Sequence, residues 1–470
     1  MLKNNLTEFD FQIEQYTTPQ FNLNTYFIIS EEESALVDPI FHPTLYDDLL
    51  KQTQTTLKYI LITHHPHEFV NDEEDLSKRT GATIIYGEKA NNKYSTKSKT
   101  QLQLGSVKIE VLSTPGYTED STCFVLIDSK NKQKAIFTGA TLNSNDIGHT
   151  YIEANTTEAT KRKIANEMSE SLALISQVDP SCIIFPGYNV ANPSSNTKMT
   201  IDSVMQNNDY MKATNEDKIA KIMQTFQPYK TIFKTVAKAT VKQGMTRQQI
   251  LKGVRKLLPG DVQAYIDQDK DNNYYIFDTR DQTESTIGFI PTSIILSLKI
   301  AYTTYMLGTI DLNANIIFVT QPGYEMDSII PAMQAGYTNI VGYLDGGFDA
   351  WKNAKKPIER VVYEPSTKDH VEELVKLNSF IIDIREVNEF KDVGIVGGSV
   401  LAPLSNFNKH EKDGVVDKTK NVYVLCKSGG RACIAYTYLK KLKYTNKMIV
   451  LQGGCNKLQE TGFVFTPYDG

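Results

Sequence analysis

The chain has few tryptophans and cysteines, with one and five among 470 residues. The five cysteines are irregularly spaced and form no CxxC pair, which excludes a disulfide framework of the secreted type. No apolar run is long enough to span a membrane, and the first residues lack the apolar stretch of a signal peptide. The 50 basic residues are balanced by 55 acidic ones, with no basic stripe for nucleic acid or an anionic membrane. These absences predict a cytoplasmic protein.

The length of the chain predicts two to four domains, at about 100–200 residues per domain. The first segment, residues 1–245, begins with short β-rich runs such as 59–62 and 107–111. Apolar residues at helical spacing predict a helix over 158–178. The stretch 192–217 is polar and weakly patterned, which predicts mostly loop.

The rest of the chain contains an internal repeat with an offset of about 106 residues, typical of one small α/β domain. In each copy apolar strands alternate with helical stretches, which predicts a parallel sheet covered by helices. We therefore expect two tandem α/β domains, a first repeat (246–360) and a second repeat (365–470). The segments that correspond are 278–280 with 383–385, 316–319 with 422–425, and 344–348 with 451–455.

A cysteine stands at the end of an apolar strand in the second repeat. The strand 422–425 runs directly into the loop Cys426-Lys427-Ser428-Gly429-Gly430-Arg431, and a helical pattern follows. Two glycines allow a tight curl whose N–H groups converge on an anion at the start of the helix. These groups and the two cations each lower a thiol pKa. The loop therefore predicts that Cys426 is a nucleophile that carries sulfur as a persulfide, with Arg431 orienting an anionic donor and residues 427–430 binding it.

The pattern C-x-x-G-x-R resembles the rhodanese family, and the resemblance extends over about the last 105 residues. It includes Asp383-Ile384-Arg385-Glu386 with Glu389-Phe390, and Gly453-Gly454. This resemblance implies transfer of sulfane sulfur from thiosulfate or low-molecular-weight persulfides to thiols or cyanide. The six-residue loop fits sulfur better than the phosphate of the related phosphatases. Cys433 and Cys455 are predicted to pack in the core, with Cys433 as a resolving thiol as the alternative.

The matching loop of the first repeat lacks these features. Thr320 replaces the nucleophile, Pro322 removes an N–H donor, and Glu325 replaces the arginine. A threonine hydroxyl without a base is a weak nucleophile, and a carboxylate repels an anionic donor. We expect a first repeat without sulfur-transfer activity that serves for structure, spacing or docking.

Five landmarks of the first segment resemble the metallo-β-lactamase superfamily, most of all its glyoxalase II and persulfide dioxygenase branch. They are residues 35–39, 61–70, 114–118, 137–142 and 185–189, in the order that the family has them. This resemblance implies an αββα fold. The whole chain is therefore predicted to be an α/β multidomain protein, with a metallo-β-lactamase-like domain followed by two rhodanese-like domains.

The metal ligands that the resemblance implies are mostly replaced. Only His64 is kept among the histidines, and Glu68 replaces an aspartate, so these two are vestigial metal candidates. One histidine without a carboxylate partner is a poor iron site, so we expect no cofactor, with iron or zinc as the alternative. The other family ligand positions hold Pro66, Phe69, Tyr117, Ala140 and Tyr188.

The order of segments resembles bacterial fusions of persulfide dioxygenase with rhodanese domains, which implies a role in sulfide and persulfide detoxification. The leading hypothesis is a cytoplasmic sulfurtransferase whose first domain is a pseudoenzyme. The alternatives are an iron-dependent persulfide dioxygenase and a non-catalytic sulfur-stress adaptor. The expected partners are thiosulfate, persulfides and thiols, without nucleic acid or membrane. Association into a homo-oligomer is compatible with the sequence, which does not specify it.

Overall fold

The structure is a computed structural model that describes residues 2–6, 11–66, 69–188, 199–229, 246–417 and 419–468. Contacts divide the chain into two compact units, Met1–Ala237 and Lys238–Gly470. In the described part of the chain no helix is long and apolar enough to cross a membrane.

The first unit contains thirteen strands and six α-helices among its described residues, with a 3₁₀ turn at Glu88–Ala90. The strands are β1 (Leu2–Leu6), β2 (Gln12–Thr18), β3 (Leu23–Ser30), β4 (Glu33–Val37), β5 (Thr56–Leu61), β6 (Thr83–Ile85), β7 (Gln101–Leu104), β8 (Val107–Ser113), β9 (Thr122–Ile127), β10 (Gln133–Gly139), β11 (Tyr151–Ile152), β12 (Ile183–Pro186) and β13 (Gln227–Pro228). The helices are α1 (Leu45–Thr53), α2 (Glu73–Thr80), α3 (Glu158–Ile175), α4 (Ile201–Asn207), α5 (Asp209–Lys212) and α6 (Asn215–Gln224).

Two sheets face each other in this unit, and helices cover their outer surfaces. One sheet has the order β1-β2-β3-β4-β5-β6 and the other β12-β10-β9-β8-β7, while β11 pairs with β13. Side chains of both sheets, such as Tyr26 and Phe137, form the central core. Leu49 and Leu76 of α1 and α2 pack on the outside of the first sheet, and Met168 of α3 packs on the second. These layers confirm the predicted αββα architecture.

The prediction of loop over residues 192–217 was wrong wherever the structure describes it. Residues 199–217 contain α4, α5 and the start of α6, whereas 192–198 lie outside the described residues. Thr200 and Ser203 form a reciprocal capping box that begins α4. Buried Ile201 and Ile222 pack these helices on the core next to α3. The polar sequence hid them because each helix is short and buries only a few apolar residues.

The first repeat forms a five-stranded parallel sheet with the order β14-β18-β17-β15-β16. Its strands are β14 (Arg255–Leu257), β15 (Tyr274–Asp278), β16 (Ser293–Ile295), β17 (Asn315–Val319) and β18 (Ile340–Leu344). Its helices are α7 (Arg247–Gly253), α8 (Pro259–Gln268), α9 (Gln282–Ser285), α10 (Tyr302–Thr309), α11 (Glu325–Gln334) and α12 (Gly347–Asn353). The single tryptophan, Trp351, is fully buried in its core.

The second repeat forms the same sheet, with the order β19-β23-β22-β20-β21. Its strands are β19 (Tyr363–Pro365), β20 (Phe380–Asp383), β21 (Val400–Leu401), β22 (Val422–Leu425) and β23 (Met448–Gln452). Its helices are α13 (Lys368–Lys376), α14 (Val387–Val393), α15 (Phe407–Lys412), α16 (Gly430–Lys441) and α17 (Gly454–Glu460), with a 3₁₀ turn at Leu404–Asn406. The identical strand order confirms the internal repeat.

Both repeats also bury an aspartate–arginine pair. The pair lies at the end of β15 in the first repeat and of β20 in the second. In the first repeat Arg280 Nη2 lies 2.6 Å from Asp278 Oδ2, and in the second Arg385 Nη2 lies 2.7 Å from Asp383 Oδ2. Each arginine also donates to a backbone carbonyl at 2.8 Å, that of Gly288 or Gly394. The pair fixes the turn after this strand, beside the candidate loop.

Candidate functional site

Cys426 lies where β22 ends and the loop to α16 begins. Leu425 pairs with Asp383 of β20, which places Cys426 at the carboxyl edge of the parallel sheet, where ligands of such sheets bind. The side chain is fully buried, and the Gly429 N–H donates to its Sγ at 3.1 Å. The structure therefore forms the predicted curl of the loop around the thiol.

Two glycines make this curl possible. Gly429 has φ +93°, a left-handed conformation that L side chains rarely adopt. A Cβ on Gly454, at the start of α17, would collide with the carbonyl oxygen of Cys426. The Cys455 N–H donates to that same carbonyl at 2.9 Å, so the start of α17 supports the loop from behind.

The net direction of the Cys426 pKa differs from the prediction. Burial raises the pKa of the thiol, and this effect outweighs the N–H groups of Ala432, Ser428 and Gly429 and the charge of Arg431, which all lower it. The sequence identified the contacts that favour a thiolate. It did not reveal that the sulfur would be completely enclosed, because burial depends on the packing of α17 and the surrounding strands.

We expect the alkylation of Cys426 by iodoacetamide to become faster as pH rises, with a midpoint above the ordinary thiol value of about 8.5. The sign follows because a raised pKa leaves the thiol protonated until the solution is more alkaline, and only the thiolate attacks. Peptide mass spectrometry would give the rate at Cys426 separately from the other cysteines. The same chain unfolded in urea is the control, and a folded midpoint below the unfolded one would contradict the expectation.

Arg431 is held by a carboxylate. Its Nη1 and Nη2 lie 2.6 Å from Glu389 Oε2 and Oε1, and both side chains are more than four-fifths buried. Burial alone would raise the pKa of Glu389. The hydrogen bond and charge of Arg431 act in the opposite direction, and the net pKa lies below its ordinary value. The guanidinium is thus fixed near the thiol, and a bidentate pair of this kind sets its orientation.

The other predicted loop residues differ in exposure. Lys427 and Ser428 are exposed, whereas Gly429 is buried and Gly430 begins α16. The largest effects on the Cys426 pKa come from burial, the loop N–H groups and Arg431. The Lys427 carbonyl accepts from the Asn456 N–H at 2.9 Å, which again ties the loop to α17.

Cys433 and Cys455 are both buried near the loop, in agreement with the prediction that they pack in the core. Cys433 Sγ lies 3.2 Å from the Tyr363 hydroxyl and 3.5 Å from the Gly429 carbonyl. Burial raises the pKa of Cys433 to about 11 and that of Cys455 beyond the usual thiol range. Both thiols are therefore protonated and poor nucleophiles at neutral pH.

The corresponding loop of the first repeat holds its own carboxylate. Thr320 follows β17 as Cys426 follows β22, and its buried hydroxyl has no hydrogen-bond partner within the described residues. The Gly323 N–H donates to both oxygens of Glu325 at 3.1 Å. The Glu325 carboxylate thus occupies an N–H group that an anionic ligand would need. The loop also lacks a thiol.

The kept histidine of the first unit lies in a chain of hydrogen bonds. Thr63 Oγ1 donates to Asp38 Oδ2 at 2.6 Å and lies 2.9 Å from His64 Nδ1, while His64 Nε2 lies 3.1 Å from the Tyr188 hydroxyl. The donor and acceptor along each of these bonds follow from the tautomer of His64 and the protonation of Asp38. Burial raises the pKa of Asp38 to about 7.

The replaced ligand positions are filled by packing. The Phe69 ring lies 5.4 Å from the Phe21 ring, tilted against it, in a small apolar cluster against which Tyr188 packs. Tyr117 makes an edge contact with His64 at 5.2 Å, and Ala140 is buried. His67 and the candidate Glu68 lie outside the described residues. Within the described ranges no group of three or more His, Cys, Asp and Glu side chains is arranged to hold a metal ion, so these residues do not fit the iron or zinc of the fold family.

Metal analysis of the purified chain should find iron and zinc well below one ion per chain, because the described part of the chain arranges no three metal-binding side chains around His64. For the same reason EDTA should leave the melting temperature unchanged, since no bound ion stabilises the folded state. One ion per chain, together with a lower melting temperature in EDTA, would contradict this expectation.

Two residues that the sequence did not single out also contact the loop. Gln282 Nε2 of the first repeat donates to the Gly430 carbonyl at 2.7 Å. Tyr305 of the same repeat lies near Arg431, whose positive charge opposes the upward effect of burial on the tyrosine pKa. No local pattern marks either residue, because each is more than a hundred residues from its partner along the chain.

Comparison with known proteins gives matches to both parts of the chain. The family model described as Rhodanese-like domain matches residues 258–354 and 366–461. A probable hydroxyacylglutathione hydrolase of Schizosaccharomyces pombe is 26% identical over 175 residues, which are 36% of this chain and 64% of that protein. A second one from the same yeast is 33% identical over 172 residues, which are 35% of this chain and 62% of that protein. The chain therefore spans less than two thirds of the length of these relatives.

A crystal structure of a metallo-β-lactamase from Staphylococcus aureus subsp. aureus COL is similar to this chain, with a TM-score of 0.58 and 17% identity. The similarity covers 71% of this chain and 98% of the other. At this identity it shows the fold alone.

Proposed function

Because the chain joins a metallo-β-lactamase fold to two rhodanese-like domains, we propose that its second repeat transfers sulfane sulfur through a persulfide on Cys426. The observation that carries the proposal is the enclosed Cys426 Sγ, which accepts an N–H bond at 3.1 Å beside the fixed Arg431. Apolar packing alone does not require this curl of N–H groups around a sulfur.

With thiosulfate as donor, the Cys426 thiolate attacks the outer sulfane sulfur. A new S–S bond forms to Cys426, the S–S bond within thiosulfate breaks, and its electron pair leaves with sulfite. The proton of the resting thiol goes to solvent. The product is an anionic persulfide, which the loop N–H groups and Arg431 stabilise as they would the thiolate.

The second half of the reaction returns the enzyme to its starting state. A thiolate or cyanide attacks the terminal sulfur of the persulfide, the bond to Cys426 breaks, and the electron pair returns to the Cys426 thiolate. The product is a low-molecular-weight persulfide or thiocyanate. Because the acceptor is anionic as well, Arg431 favours both half-reactions electrostatically.

Mass spectrometry of the intact chain after incubation with thiosulfate tests the proposal. We expect the mass of one added sulfur atom, located by peptide mapping at Cys426, and its loss when cyanide is added. A chain that gains no sulfur from thiosulfate or a glutathione persulfide, or that gains it at another cysteine, would refute the proposal.

We assign no iron-dependent step to the first unit. The iron alternative needs two histidines and a carboxylate with open positions, whereas His64 is bonded to Tyr188 and Thr63. We infer a platform for binding or association, in a protein that acts in persulfide metabolism.

A further inference from the structure

The loop of the second repeat is in contact with a side chain of the first repeat. Gln282, the first residue of α9, donates from Nε2 to the Gly430 carbonyl at 2.7 Å. A Cβ added to Gly430 would lie 3.0 Å from Gln282 Oε1, so the two residues are in close contact.

Arg431, the next residue, is held within the second repeat, where Glu389 binds its two terminal nitrogens. The first repeat therefore acts on the loop at Gly430, directly before the arginine.

From this contact we propose that the first repeat supplies a positioning residue, Gln282, to the Cys426 loop of the second repeat. This inference rests on the proposed sulfur transfer and assigns the first repeat a part in it beyond spacing or docking.

The Gly430 carbonyl is a sensitive point of the loop. Two consecutive glycines leave the backbone before α16 free to rotate, and the N–H group that bonds Cys426 Sγ belongs to Gly429, the residue directly before Gly430. A hydrogen bond to the Gly430 carbonyl restrains this rotation. Gln282 therefore acts on the sulfur through the peptide groups and does not touch it.

The contact between the repeats is built to hold these residues in place. The buried N–H of Ile295 donates to Thr437 Oγ1 at 3.1 Å, and Lys441 of α16 forms an almost completely buried ion pair with Asp269 of the first repeat. Backbone also meets backbone, because a Cβ on Gly308 of α10 would collide with the carbonyl of Leu404. The first two contacts involve α16 itself, the helix that follows the Cys426 loop.

The test uses the full chain with Gln282→Met, which keeps about the size of the side chain and removes its amide donor without adding a charge. We expect the rate of persulfide formation from thiosulfate to fall about fivefold to tenfold, which corresponds to the loss of one hydrogen bond. The pH midpoint of Cys426 alkylation should move upward, because the Gly429 N–H is no longer held on the sulfur. Gln321→Met, an exposed change of the same kind in the first repeat, is the matched control and should leave both measurements unchanged.

Unchanged alkylation and kinetics in Gln282→Met would overturn the inference. An altered alkylation midpoint in Gln282→Met would support it even if the unmodified chain accepted no sulfur, because alkylation does not depend on sulfur transfer. Failure of the positioning role and failure of the proposed function are therefore distinguishable.

Discussion

Cys426→Ser should reduce the formation of thiocyanate from thiosulfate and cyanide to the rate measured without protein. A serine hydroxyl is not ionised at neutral pH and does not form the persulfide that carries the sulfur. The Gly429 N–H can still donate to the serine oxygen, so the loop keeps its shape and the loss is chemical. Colorimetric thiocyanate measurement over time gives the rate, and circular dichroism shows that the variant is folded.

Three substitutions control this experiment. Thr320→Ala alters the corresponding position of the first repeat and should leave the rate unchanged. Cys433→Ser and Cys455→Ser remove the two thiols near the loop, and each should retain sulfur loading at Cys426, because the Gly429 N–H donates to Cys426 Sγ. A Cys426→Ser variant with a normal rate would exclude Cys426 as the sulfur carrier.

The two repeats share one backbone fold, but different residues follow the strand that leads into the loop. Thr279 N–H donates to the Val319 carbonyl in the first repeat, as Ile384 N–H donates to the Leu425 carbonyl in the second, at 2.9 and 3.0 Å. The frame for an anion site is therefore present twice. In the first repeat Glu325 accepts from the Gly323 N–H, so the two loops differ in local side chains and not in fold.

The features of the site that the sequence predicted are local ones. The loop from Cys426 to Arg431 consists of consecutive residues between a strand and a helix, so its curl and its N–H groups could be predicted from type and spacing. The pKa of the thiol could not, because it depends on how completely α17 encloses Cys426. Gln282 and Tyr305 were missed for the same reason, since only the packing of the two repeats brings them to the loop.

For the first unit, the sequence predicted the fold but not the chemistry of the site. Its layers were predicted from five spaced landmarks that resemble the metallo-β-lactamase superfamily. The chemistry of its site depends on single atoms, such as the His64 Nε2 that bonds the Tyr188 hydroxyl. The sequence showed which ligands were replaced, but it could not show that a replacement would engage the histidine that was kept.

Arg385→Met should destabilise the second repeat by about 3–5 kcal/mol, the scale for removing one partner of a buried ion pair. Asp383 is fully buried, and Arg385 is its partner at 2.7 Å and is itself 1% exposed. The free energy of unfolding can be measured in the full chain from urea titrations, with hydrogen-exchange mass spectrometry assigning the transition to residues 365–470. A loss below about 1 kcal/mol would contradict the expectation.

The pH dependence and a double variant distinguish the loss of charge pairing from the loss of packing in Arg385→Met. Burial raises the pKa of Asp383 even with Arg385 present, and it should rise further in Arg385→Met. When the pKa of a carboxyl is higher in the folded state, its contribution to stability is fully present only below the unfolded pKa of about 3.9. That contribution is lost as pH rises through the folded pKa. The deficit should therefore be larger at pH 7.5 than at pH 5. Adding Asp383→Asn should recover part of the loss, because no buried charge then remains unpaired, whereas a deficit that comes from packing alone would persist at every pH.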